Sequence, residues 1–216
     1  MTQAPVAVIE TRWWDNGNHS VKPMFEALAA LNYSNPSAIL YDMFSEKRSL
    51  ENVLVNRCTD GFTRAIYLAT HGDKTSNYIG QNANTAISRT EFKNILCKAN
   101  TKEQLKGLFL GTCYTATNNT VSFLLNGGGS KLTWAAGYTE SVEWIEGTAI
   151  DMVFFHHLTS EYIRNKSRRK GKKTDVAMAK FAATEVMKLI PAAHSKYGFN
   201  IYYSEGKKVV SMLSGK

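Results

Sequence analysis

The chain has 216 residues, 44% of them hydrophobic and 11% aromatic, with a formal net charge of +8. That length suits a single domain over residues 1–216, and that composition supplies a full core and excludes global disorder. No apolar run approaches the roughly 20 residues of a membrane-spanning helix, and no basic stretch followed by an apolar one opens the chain. The three cysteines form no Cys-x-x-Cys pair, which argues against a disulfide framework and a structural metal. The expectation is a cytoplasmic protein with reduced thiols and no membrane partner.

Residues 6–10 read as a first strand, followed by turn chemistry at Asp15-Asn16-Gly17-Asn18. Ser20 is placed to cap a helix in which Met24, Phe25, Leu28 and Leu31 recur at helical spacing. Residues 37–44 read as a second strand, and residues 49–57 as a helix closed by Asp60-Gly61. Residues 62–70 make a third strand, near-continuously apolar after Arg64, as a parallel strand buried on both faces should be. A polar loop over 73–86 leads to a helix at 90–96, with Ser88 and Glu91 at the capping-box spacing. Residues 106–112 read as the fourth strand, 118–125 as a short helix ended by glycines at 127–129, and 132–138 as the fifth strand. Two amphipathic helices follow, 142–162 and 175–190, the second stopped by Pro191. Residues 199–203 are the last strand, before a turn at 205–207. The alternation predicts an α/β fold: a mostly parallel six-stranded sheet with helices on both faces.

The third strand ends on His71 and the fourth on Cys113. As parallel neighbours they would project both side chains from the carboxyl edge, where open α/β sheets take their ligands. A thiol and an imidazole meeting there form a nucleophile and its base. Cys58 and Cys97 fall within helices and read as small buried hydrophobes. The glycines at 127–129 are not followed by Gly-Lys-Ser/Thr, and no Gly-x-Gly-x-x-Gly follows the first strand. A nucleotide-binding protein is therefore argued by fold class alone. His156 and His157, adjacent on a helix, face different directions and cannot share a metal. The basic run over 164–173 reads as a solvated loop with at most salt-sensitive, non-specific nucleic-acid binding.

Leu68-Ala69-Thr70-His71-Gly72 and Leu110-Gly111-Thr112-Cys113 resemble the two active-site motifs of caspase-like cysteine peptidases of clan CD, in particular the CHAT branch. There an apolar strand ends in Ala-Thr-His-Gly and a later one in Leu-Ser-Ala-Cys. Residues 134–140 followed by 149–158 are similar to that family's strand-loop-helix ending in Phe-Tyr-x-x-Leu. Caspases place the histidine about 50 residues before the cysteine, and here the separation is 42. Gly111 stands where caspases carry glutamine, so their aspartate-reading pocket is not implied.

The resemblance implies a caspase-like three-layer sandwich and a cysteine endopeptidase of bacterial regulation or defence, needing no metal or cofactor. It makes Cys113 the nucleophile and His71 the proton carrier, with the backbone N–H groups of Gly72 and Cys113 as the oxyanion hole. It also implies a protein substrate and an activating protein partner. In that fold the P1 side chain enters a pocket built from loops after the first, fourth and fifth strands. Asp15, Glu140 and Glu143 lie in such loops and predict a preference for Arg or Lys. The other reading of that pocket is apolar, lined by Trp13, Trp14 and Tyr138. The alternative from a different class is a catalytically silent adaptor on the same fold, binding a protein or nucleic-acid partner through its basic loop and sheet edge.

Overall fold

A computed structural model describes residues 3–12, 14–75, 77–80, 85–126 and 129–213. In chain order its strands are β1 (Val6–Thr11), β2 (Leu40–Phe44), β3 (Ala65–Ala69), β4 (His71–Gly72), β5 (Tyr78–Gly80), β6 (Ile87–Ser88), β7 (Gly107–Gly111), β8 (Trp134–Gly137), β9 (Asn200–Glu205) and β10 (Lys208–Ser211). Its helices are α1 (Lys22–Tyr33), α2 (Lys47–Thr59), α3 (Arg89–Ala99), α4 (Asn118–Leu125), α5 (Trp144–Ser167), α6 (Asp175–Leu189) and α7 (Ala193–Tyr197).

The period-two alternation of apolar side chains sets the layering. Val6, Val8, Tyr67, Phe109 and Trp134 face one way, onto buried residues of α1, α5 and α6. Ala7, Ile9, Ile66, Leu68, Leu108 and Leu110 face the other way, onto α2, α3 and α4. The result is a sheet between two helical layers. Its strand order is β10-β9-β8-β7-β3-β1-β2. The five strands from β8 to β2 run parallel, and β9 and β10 close one edge antiparallel. Phe109 sits at the centre of an aromatic cluster with Tyr67, Phe154, Phe155 and Phe199. Truncating such a fully buried ring costs about 3–5 kcal/mol.

The main sheet has seven strands rather than the expected six. The additional strand is β10, which follows the turn after β9. It is a short edge strand, exposed or half-exposed along its length, and edge strands carry little hydrophobic signal. The expected polar loop after His71 carries β5, which pairs with β4 and β6 on its two flanks in a second sheet, β4-β5-β6, antiparallel throughout. Its strands are two or three residues long, too short for a period to show. The second main-sheet strand begins at Leu40 because Pro36–Ala38 form a 3-10 turn capped by the Asn35 side chain.

The basic run is also not simply a solvated loop. Its first four residues continue α5. Glu161, only 2% exposed, accepts from Lys173 Nζ at 2.5 Å and from Arg164 at 3.1 Å. A buried carboxylate needs such partners, and it folds the run back onto the helix. Among the described residues no helix is long and apolar enough to cross a membrane.

Candidate active site

Ala69 of β3 pairs with Gly111 of β7. His71 and Cys113 therefore stand two residues beyond the same rung of a parallel ladder, at the carboxyl edge of the sheet. Both line one cavity of about 340 Å³, together with Gly72, Tyr138, Val142 and Asp151. Each strand delivers its residue by a local device. His71 opens β4, which pairs with β5, so the chain leaves the main sheet at the histidine. After Cys113 the chain turns sharply at Tyr114, whose φ of 63° lies in the left-handed region. A non-glycine residue adopts that conformation at a cost of roughly 1–3 kcal/mol, held by its surroundings. Here the Tyr114 N–H donates to the Glu140 carbonyl at 3.3 Å and the Ala116 N–H to the Tyr138 carbonyl at 3.0 Å.

The residue after the histidine touches the nucleophile's backbone. A Cβ on Gly72 would collide with the Cys113 carbonyl oxygen and come within 2.7 Å of Thr115 Cγ2. Only glycine permits this approach. It brings the Gly72 Cα against the Cys113 carbonyl. The Cys113 sulfur accepts from the Val142 N–H at 3.5 Å, which fixes the thiol against the loop between β8 and α5. The Thr70 hydroxyl, buried on the cavity wall beside His71, has no hydrogen-bond partner among the described residues.

The cavity floor is a carboxyl group. Asp151 of α5 is 6% exposed. Tyr67 donates to its Oδ2 at 2.6 Å and Tyr138 to its Oδ1 at 2.6 Å. Among the described residues Asp151 has no ion pair. Burial pushes its carboxyl up to about 7, against the pull of the two tyrosine hydroxyls. The two phenols in turn are raised well above their ordinary range by burial and by the Asp151 charge. Gly111 leaves room for the Tyr67 ring, which a side chain there would strike.

No protein-family model matches this chain, and no curated protein matches it.

The three acids expected to line a P1 pocket do not converge. Glu143, the N-cap of α5, lines the cavity but is exposed. Glu140 is exposed and does not line it. Asp15 is likewise exposed and outside it. Arg12 donates to the carbonyls of Trp14 and Asp15 at 3.2 Å each, so it closes its own loop. Of the apolar alternative, Tyr138 lines the cavity, Trp14 does not, and Trp13 lies outside the described residues, as do Gly127 and Gly128.

Sequence reasoning misses the acid that does reach the floor. Asp151 shares the buried face of α5 with Gly147, Phe154, Phe155 and Leu158. The available signal is a lone carboxylate in an apolar i, i+3, i+4, i+7 stripe, because an acid on such a face needs a reason. Glu10, fully buried at the end of β1, is a second such residue. It accepts from Ser20 Oγ at 2.6 Å, Tyr41 Oη at 2.5 Å and the Val21 N–H at 3.0 Å. Those bonds hold Val21, a cavity residue. Val21 rather than the expected Ser20 is the N-cap of α1, without a side-chain cap, because the Ser20 hydroxyl is committed to Glu10.

Cys58 is fully buried on α2, and burial pushes its thiol up to about 12. Cys97 is half-buried on α3. Among the described residues no group of three or more His, Cys, Asp or Glu could hold a metal ion.

Proposed function

We propose that this protein is a caspase-like cysteine endopeptidase of the CHAT type, with Cys113 as nucleophile and His71 as its acid–base partner. The observation that carries the reading is the delivery of both residues from one ladder rung into one cavity. In the reaction, Cys113 Sγ attacks the scissile carbonyl carbon, and His71 takes the thiol proton. The negative oxygen that develops is met by the N–H groups of Gly72 and Cys113, as the resemblance implies. His71 returns the proton to the leaving amine as the C–N bond breaks, leaving a thioester on Cys113. Water, deprotonated by His71, then attacks the thioester and releases the acid and the free thiol.

Asp151 supports a P1 preference for Arg or Lys, in place of Asp15, Glu140 and Glu143. A buried carboxyl held by two hydroxyls and lacking an ion pair among the described residues is completed by a cation that brings its own charge and donors. The apolar surroundings, Tyr67 and Tyr138, suit the methylene stem of such a side chain. A protein substrate, an activating partner and a bacterial cytoplasmic setting complete the proposal.

The test is a fluorogenic peptide library with wild type, Cys113→Ala and His71→Ala. The expected result is cleavage after Arg or Lys by wild type and loss of turnover in both variants, with unchanged circular dichroism. Turnover surviving in either variant would overturn the dyad.

A further inference from the structure

At the amino edge of the sheet, opposite His71 and Cys113, lies a second cavity of about 770 Å³. Its walls are residues just before β1 and β3, the last turns of α5 and the start of α6. Among the described residues four cations line it, Arg64, Lys166, Lys172 and Lys173, against a single acid, Asp175. That acid is already engaged: Arg64 holds both its oxygens, at 3.2 and 2.6 Å, and Tyr162 donates to it at 2.9 Å. Lys173 leans on Glu161. Among the described residues Lys166 and Lys172 have no acidic partner.

A concave wall with surplus positive charge concentrates anions, and two ammonium groups without an acidic partner among the described residues call for more than one negative charge. The rest of the wall is not wholly polar. Phe62 and Tyr33 line it, and the Tyr33 hydroxyl is shut off from solvent with no hydrogen-bond partner among the described residues. Aromatic faces accept a flat ring by stacking. The volume lies within the range of small-molecule sites. Arg169 and Lys170 are exposed like Lys166 and Lys172 but are not in the lining, so the cavity selects only part of the basic run.

We propose that this cavity binds a nucleoside polyphosphate, its phosphates on Lys166 and Lys172 and its base against Phe62 and Tyr33. The site lies away from the thiol cavity and stands independently of the peptidase reading.

The experiment is calorimetric titration of the full chain with ATP, tripolyphosphate, adenosine and a short DNA duplex. ATP is expected to bind at one site, ~10-fold or more tighter than tripolyphosphate or adenosine. A Lys166→Glu/Lys172→Glu variant should lose ~10-fold or more in ATP affinity, and an Arg169→Glu/Lys170→Glu variant should not. Four results would overturn the proposal: no ATP binding at millimolar concentration, tripolyphosphate binding as well as ATP, equal losses in both variants, or duplex binding tighter than ATP that depends on Arg169 and Lys170.

Discussion

Tyr67 reaches from the middle of β3 to donate its hydroxyl to Asp151 of α5 at 2.6 Å. The strand that leads to His71 thus also holds the floor of the cavity the histidine lines. Tyr138, just beyond β8, does the same from the other side. The sheet thus ties the floor on α5 to the strand that carries the histidine, while the β8–α5 loop holds the thiol through Val142.

Under the proposed P1 reading, Asp151 makes specificity depend on pH. Only its ionised form completes an ion pair with a basic P1 side chain. With the carboxyl raised to about 7, the ratio of kcat/KM for an Arg-P1 peptide to that for a Leu-P1 peptide should rise as pH increases through neutrality. The ratio cancels every pH effect that the two peptides share. In Asp151→Asn it should be flat, and Arg-P1 turnover should fall on the order of 100-fold, from the ~3 kcal/mol lost when one side of a buried pair is removed. An unchanged ratio in the variant would remove Asp151 from the P1 site.

The same group shapes stability. Its folded value, about 7, lies above the ordinary value of 3.8, so the folded state binds the proton more tightly. Its contribution is fully present below about pH 4 and is lost as pH rises through 7. Denaturant unfolding of wild type should lose stability across that window relative to Asp151→Asn, by at most about 4 kcal/mol. Parallel curves for the two proteins would contradict the shift. Tyr67→Phe, which strips one donor from the carboxyl, should cost about 1–3 kcal/mol at neutral pH and less at pH 4, where the carboxyl is protonated.

Much of this architecture is legible in the sequence. The strands that lead to His71 and Cys113 are apolar runs, buried on both faces, and such runs announce parallel strands. Ser88 and Glu91 announce the start of α3, and both bonds of that capping box are formed. What stays hidden depends on tertiary partners. The small sheet from β4 to β6 is held by pairing, not by its own periodicity. The return of the basic run onto Glu161 needs a charge 12 residues away in sequence from Lys173. Loop acids attract a P1 reading because loops carry function, yet the acid on the cavity floor lies on a helix.

Gly72 tests the oxyanion hole without removing a reacting group. Its missing Cβ is what lets the peptide rest against the Cys113 carbonyl. Gly72→Ala must push the two backbones apart, and a displaced donor costs roughly 100- to 1000-fold in kcat. KM should change little, since the floor at Asp151 is untouched. A variant with wild-type kcat would place the oxyanion donors elsewhere.

The three thiols should separate under limiting iodoacetamide at neutral pH. Cys58 has no solvent exposure, and burial holds its thiol near 12, so it should react only on unfolding. Cys97 and Cys113 are both partly exposed, and accessibility alone would not rank them. The difference lies in what surrounds the sulfur. Cys113 lines the cavity and receives the Val142 N–H, with His71, its proposed base, lining the same cavity. Cys97 sits on α3 and faces Gly129, closely enough that a Cβ there would approach its sulfur to 2.8 Å. Peptide mass mapping should find Cys113 alkylated first. His71→Ala should slow that reaction while leaving Cys97 unchanged, because the thiolate is the reacting species. An Arg-P1 peptide aldehyde at saturating concentration should protect Cys113 and not Cys97. Equal labelling of the two cysteines, unaffected by His71→Ala or by the aldehyde, would show that the cavity does not activate its thiol.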